Sequence, residues 1–436
     1  MSKKEILAQE DLEITAATAG AAPIILPGRV ISIFPALAHR NFQLYFAGQA
    51  ISLIGFWLQQ VGMGWYVFQL THSAFWVGTV AALGGLPFLF VTPFAGVFID
   101  KVNRQNLLIW TQVVDAFIAL VLGALIITHS AGLAIIIPLV AVNGLIGAVD
   151  LPARLTFIVE MVGKRDLASA IPINNAVFNG ARFVGPALAG ALIASFGVGW
   201  TFILNALSYI PGIWAIYAMR PVYNYRPEVD IHPLESLKTG LRYSFTHSQI
   251  SIFITLAALS AIFIWPYQTL MPVIAQNVFH TGAGGYGSLL SAIGAGSLAG
   301  AIFASAMSRK DNKGILILAG LVISSLALIL FTLNRNFAVA HVLLFIIGFA
   351  LLIEVATLNT LVQLVSPDNM RGRIMAVYIT MFVGMMPLGN ALSGIIAQKT
   401  SAMFTIGLGA VIVFLVGIAL YLKGTFSNFS KNDLPV

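Results

Sequence analysis

Four ionisable residues, Asp115, Asp150, Arg182 and Glu354, stand within or beside long apolar stretches of this 436-residue chain. A charged side chain at the centre of a bilayer costs about 2.5–3.5 kcal/mol on insertion scales. Such residues pair with one another or face a wet cavity, where they can carry protons or bind a polar substrate. Arg182 and Glu354 each lie roughly 15–25 Å from the polar turns at one end, at 1.5 Å of rise per helical residue. They can therefore share a depth. A cavity that alternately brings Glu354 close to Arg182 and opens it to water could load and release a proton; a fixed structural ion pair fits the same spacing. Asp115 and Asp150 are the remaining acids to consider. Gln59, Gln60, Asn143, Asn175, Asn179, Gln268 and Asn359 could supply cavity polarity or helix–helix hydrogen bonds.

Other chemistries find few residues to work with. The chain has no Cys, which excludes disulfides and thiolate metal sites. Its seven His residues are scattered, without paired ligand spacing. No Gly-x-x-x-x-Gly-Lys loop is present, so ATP is not the direct energy source. The expectation is no metal, no cofactor and no catalytic residue: the chain does not read as an enzyme.

The elements that must position these residues are membrane helices. Hydrophobic residues make up 58% of the chain and charged residues 9%, against roughly 25% charged in a soluble domain. A spanning helix needs about 20 mostly apolar residues. Twelve such runs are legible: 41–70, 74–99, 105–128, 132–152, 167–196, 199–219, 248–279, 285–307, 314–333, 337–363, 371–398 and 402–422. In span seven, Pro266 and Pro272 predict a bent helix.

The 23 Lys and Arg residues crowd into alternate connections and the tails; Arg182, Arg335 and Lys399 are the exceptions. The net charge of +7 is thus a membrane orientation signal rather than a nucleic-acid patch, with both termini cytoplasmic. Residues 1–40 form an acidic, polar cytoplasmic tail without a signal peptide. A six-helix bundle over 41–219 is joined by a linker, 220–247, to a second over 248–424, and 425–436 is a C-terminal tail. Leu234, Leu237, Leu241 and Phe245 recur at helical spacing in the linker, with Lys238 and Arg242 between them. They fit an amphipathic helix lying on the membrane surface, or a plain linker. Ala153, Leu155, Val159 and Val162 match Ala356, Leu358, Val362 and Val365 at a constant offset, which favours a duplicated transporter.

Three local patterns carry a family resemblance. Gly96-Val-Phe-Ile-Asp100-Lys-Val-Asn-Arg104 resembles the loop signature of the major facilitator superfamily between spans two and three. Gly180-Ala-Arg-Phe-Val-Gly185-Pro186-Ala-Leu-Ala-Gly190 resembles the glycine–proline signature of its antiporters. Arg371-Gly372-Arg373 is similar to the matching turn of the second half. Asp150-Leu-Pro152-Ala-Arg154, with Arg182 inside span five, is most similar to the branch of enterobactin exporters and macrolide efflux proteins. Val140 and its neighbours stand where the superfamily's efflux pumps often carry an Arg early in span four, leaving Asn143 as the polar residue.

The resemblance implies an all-α membrane protein of twelve transmembrane helices in two pseudo-symmetric six-helix bundles, acting as a monomer in a bacterial inner membrane. It implies that Asp100, at the end of span two, meets the N-terminus of span eleven near Arg371 and Arg373 and latches the halves shut, with Arg104 assisting. The other reading is an ordinary solvated loop acid. Gly180, Gly185, Pro186 and Gly190 would let span five rock or seal against a neighbour, or serve generic close packing. It makes span ten, with Glu354, cavity-lining and span three, with Asp115, peripheral. The leading expectation is a proton-driven exporter of a drug-like or siderophore-like small molecule by alternating access, with protons, substrate and lipid as its partners. An importer or lipid flippase on the same fold is the alternative. A membrane-embedded enzyme or a non-transporting receptor is disfavoured, since neither a reactive cluster nor a signalling domain is visible.

Overall fold

The computed structural model describes residue 31 and residues 34–99, 101–220, 233–307, 313–367 and 370–423. Among them it is helical, with short turns. Eight described helices are long and apolar enough to cross a membrane. One of these, Leu133–Phe196, is 64 residues long. It consists of two rods meeting at Gly163, whose φ of 72° lies in a region that residues with a Cβ avoid.

The spans, in order, are Arg40–Thr71; Ala74–Phe90 continued by Thr92–Ile99; Arg104–Ile127; 133–162; 164–196; and Gly199–Tyr217. In the second half come Ser248–Phe263, continued through Trp265–Tyr267 and Met271–Asn277; Gly282–Met307; Lys313–Leu333; Phe337–Val365; Arg371–Val383 continued by Met386–Lys399; and Ala402–Leu422. These twelve rods form the two six-helix bundles of the expected fold. Side-chain caps close several turns by accepting orphan backbone N–H groups. Ser73 accepts from Trp76, Asn103 from Asn106, Asn336 from Ala338 and Ser401 from Phe404.

Two boundaries differ from the sequence reading. Span four does not stop at residue 152. It passes through Pro152 and continues to the kink at Gly163, because Arg154 is neutralised within the helix by Asp150, four residues earlier. Span seven is broken as expected. Trp265–Tyr267 forms a 3-10 turn carrying Pro266, and a new helix starts at Met271 with Pro272 in its first turn, where the missing N–H of Pro is harmless.

The halves meet closely from the depth of Arg182, where a methyl on Gly294 of span eight would collide with the Arg182 carbonyl oxygen, to the end opposite the basic turns. On span five, a methyl group placed on Gly190 would lie 2.9 Å from the Ala283 carbonyl oxygen and 3.1 Å from Gly287 Cα on span eight. On span two, one placed on Gly78 would lie 2.7 Å from Gly394 Cα on span eleven, and one on Gly85 would lie 2.6 Å from Pro387. Backbones can approach this closely only where side chains are absent. Further along the same two helices, towards the basic turns, Gly180 and Gly96 face open space. The linker contains a helix, Pro233–Thr246, packed on the start of span eleven through Gly240, where an added methyl would lie 3.0 Å from the Arg373 carbonyl oxygen. Its Leu241 and Phe245 are exposed.

Candidate functional site

Arg182 lies on span five, 7% exposed, between the two halves. Its guanidinium carbon sits over the Trp57 ring of span one, 5.7 Å from the centroid, and over the Trp265 ring of span seven, at 5.2 Å. The 3-10 turn at Trp265-Pro266 re-aims span seven at this point, and close packing of Gly185 against the Trp57 Cβ holds span one against span five, where an added methyl would lie 2.5 Å away. Phe178 meets the edge of Trp57 at 6.0 Å and Phe382 that of Trp265 at 5.6 Å. The result is one cation inside an aromatic wall drawn from both halves. Cation–π attraction of this kind is worth about 0.5–2 kcal/mol, more where water is excluded.

Glu354 is elsewhere. It is fully buried on span ten. It accepts a hydrogen bond of 2.5 Å from Ser260 Oγ on span seven, while its other carboxyl oxygen has no partner among the described residues. Gly320 of span nine backs it, with room for no methyl: one would lie 3.0 Å from the Glu354 Cβ. The expected Arg182–Glu354 pair is therefore not formed. Helical rise gives both residues a similar depth, but Arg182 faces the join between the halves and Glu354 faces the interior of the second half.

The first half holds its own polar chain. Asp115 on span three accepts from Asn143 on span four at 2.7 Å. Asp150 accepts from Thr111 at 2.6 Å and forms an ion pair with Arg154. Arg104 forms a buried ion pair with Glu160, an acid that the sequence reading passed over. His39, at the start of span one, reaches Asp166 beyond the Gly163 kink at 2.7 Å. Asp115–Asn143 ties spans three and four near mid-depth, and the other contacts fasten spans one, three, four and five towards their basic ends.

Asp100 lies outside the described residues. The helix just before it, Thr92–Ile99, touches Arg371–Val383. Arg371 donates to the Gln363 carbonyl at 3.1 Å, and Arg373 backs the linker helix at Gly240. Of the span-five residues, Gly185 and Gly190 are packed and Pro186 is buried, but a methyl added at Gly180 would meet nothing within 4 Å. The close helix–helix packing expected at Gly180 is not formed, because the side of span five on which its Cβ would stand has no neighbouring helix within 4 Å. Trp57 and Trp265 do not stand out in the sequence, where each lies in an apolar run; a polar N–H on that run is the one available signal.

The family model described as transmembrane secretion effector matches residues 31–434. The staphyloferrin A transporter of Staphylococcus aureus is 24% identical over 382 residues, covering 86% of this chain and 94% of that protein. The enterobactin exporter EntS of Citrobacter koseri is 26% identical over 390 residues, covering 88% and 92%. Among solved structures, a mutant of the peptide transporter POT superposes with a TM-score of 0.74 at 12% identity, covering 97% of this chain and 99% of that one. A bacterial homologue of the lysosomal transporter Spinster, in an inward-facing and unoccupied conformation, gives 0.66 at 14%, covering 91% and 98%. At these identities the solved structures speak for the fold alone.

Proposed function

Because this chain belongs to the transmembrane secretion effectors of the major facilitator superfamily and is a membrane transporter, we propose that it exports a siderophore-like or drug-like small molecule, driven by inward proton flow. One observation carries the reading: Arg182 is gripped by Trp57 from the first half and Trp265 from the second. A charge held jointly by the two halves changes its surroundings whenever they rock against each other. That is what alternating access asks of a substrate site between repeats.

The tight glycine contacts at the end opposite the basic turns support a state closed on the outside, once the Lys- and Arg-rich turns are taken as cytoplasmic. Glu354 is the candidate proton carrier, acting within the second half rather than by pairing with Arg182. The transporter works as a monomer in the bacterial inner membrane. The named relatives, a staphyloferrin A transporter and enterobactin exporters, favour export of an iron-chelating metabolite.

The test is transport by the purified full chain in proteoliposomes, with an imposed proton gradient and enterobactin or staphyloferrin A as substrates. Gradient-dependent movement in the export direction, with counter-movement of protons, is expected. Gradient-independent movement removes the proton coupling, and movement in the opposite direction makes the chain an importer.

A further inference from the structure

The guanidinium of Arg182 meets no hydrogen-bond acceptor among the described residues, although the Tyr267 hydroxyl, which accepts from Gln268 Nε2 at 3.4 Å, lies near enough to interact with its charge. The guanidinium offers five N–H groups, and among the described residues it makes neither a hydrogen bond nor an ion pair; its partners are the two indole rings. Both of those rings carry a buried N–H, Nε1 of Trp57 and Nε1 of Trp265, without an acceptor among the described residues. Among the described residues the buried carboxylates are engaged elsewhere: Asp115 with Asn143, Asp150 with Arg154, Glu160 with Arg104 and Glu354 with Ser260.

Leaving a donor buried and unmet is costly, and leaving a charge unmet costs more. Three unmet donor groups on two halves of one molecule, all of the same polarity, define the complement: a ligand rich in acceptors and negatively charged. The wall beside them specifies the rest of that ligand. Phe178 and Phe382 extend the aromatic surface beyond each indole, which suits an apolar, ring-bearing body better than a hydrated inorganic ion.

We propose that Arg182, Trp57 and Trp265 form an anion-binding subsite that takes an organic anion, its carboxylate or paired oxygens in the plane of the guanidinium and its apolar body against the aromatic wall. A planar, forked donor favours such bidentate partners. Because the donors come from both halves, the anion supplies the missing counter-charge and joins the two bundles through one ligand. The inference rests on the reading of the chain as a small-molecule transporter and narrows its substrate class.

The experiment is calorimetric binding to the purified full chain in lipid nanodiscs, without any gradient, using naphthoate, its uncharged isostere naphthamide, and chloride. Naphthoate should bind about tenfold or more tightly than naphthamide, as expected for a charge-assisted hydrogen bond. Arg182→Gln should erase that difference while leaving the melting temperature unchanged or higher, since it removes an uncompensated buried charge. Arg182→Lys should keep part of it, having the charge without the fork. Equal binding of naphthoate and naphthamide, or a difference that survives Arg182→Gln, overturns the subsite. So does a loss of folding in Arg182→Gln, the mark of a structural role. Chloride displacing naphthoate at equal concentration would assign the site to an inorganic anion and overturn the organic one. Naphthoate selectivity at Arg182 without export from vesicles would leave the subsite standing and remove the export reading.

Discussion

Ser260 donates its hydroxyl to Glu354 at 2.5 Å, joining spans seven and ten inside the second half. Both residues are buried, Glu354 completely, and no cation shares the contact among the described ion pairs. A carboxyl group in this setting can change its proton without breaking an ion pair. Glu354→Gln mimics the protonated acid and retains an acceptor for Ser260. The variant should fold and bind substrate normally but lose uphill, gradient-driven efflux. Full gradient-driven efflux by Glu354→Gln in proteoliposomes would remove this residue from the mechanism.

The same contact predicts a stability effect. Ser260→Ala strips a buried carboxyl of its described hydrogen-bond partner, which costs about 1–3 kcal/mol. The loss should show as a lower melting temperature in detergent. In a Glu354→Leu background, where no polar group is left stranded, Ser260→Ala should cost much less. An equal loss in both backgrounds would mean that the serine matters for packing alone.

Glycine position on span five separates sealing from helix propensity. Gly190→Ala places a methyl against the backbone of Ala283 and Gly287; these are not flexible side-chain ends, so the halves must part. Transport should fall, and cross-linking between positions near 190 and 287 should weaken. Gly180→Ala meets nothing within 4 Å and gains helix propensity of about 1 kcal/mol, so it should be neutral or slightly stabilising. Similar losses in both variants would contradict a seal at the Gly190 end.

Much of this fold is written in apolar run lengths, since only helices satisfy the backbone in lipid. The break in span seven was readable from Pro266 and Pro272 for the same reason. Span four runs past its sequence-predicted end because Pro152 and Arg154 together look like the end of a helix. Whether Arg154 is a loop charge or a helical one depends on Asp150 lying on the same face four residues earlier, and run length is blind to that. Glu160 is hidden for the same reason, since the sequence places it in a turn and the structure in the continued helix. The Arg182–Glu354 pairing failed on azimuth rather than depth: rise along a helix fixes how deep a residue lies, but not which neighbour it faces. The aromatic grip on Arg182 joins residues 57, 182 and 265, and no spacing rule connects positions so far apart.

Orientation is open to direct measurement. Reporter fusions after Arg104, Arg165, Lys238 and Arg371 should report cytoplasm, and fusions near His72, His129, Gly197, Gly282 and Arg335 should report the outside, as the distribution of Lys and Arg requires. Two or more reversed sites would sink this orientation, and with it the reading of the tight glycine contacts as an outer seal.

Asp150 and Arg154 give the sharpest test of a structural rather than a transporting acid. Their ion pair lies one turn apart on span four, and Thr111 of span three completes it by donating to Asp150 at 2.6 Å. The side chains are 12% and 18% exposed, so neither charge is readily solvated alone. Asp150→Asn keeps the shape and an acceptor for Thr111 but strands the guanidinium. Breaking a buried pair from one side costs about 3–5 kcal/mol. Asp150→Asn should therefore lower the melting temperature and yield of folded protein, and Arg154→Gln alone should do the same from the other side. The double variant, Asp150→Asn with Arg154→Gln, removes both charges and should recover most of the stability of each single change. If it also transports at near-normal rates, the pair serves the fold and Asp150 leaves the list of proton carriers. A stable, well-folded double variant without gradient-driven transport would instead return Asp150 to that list beside Glu354.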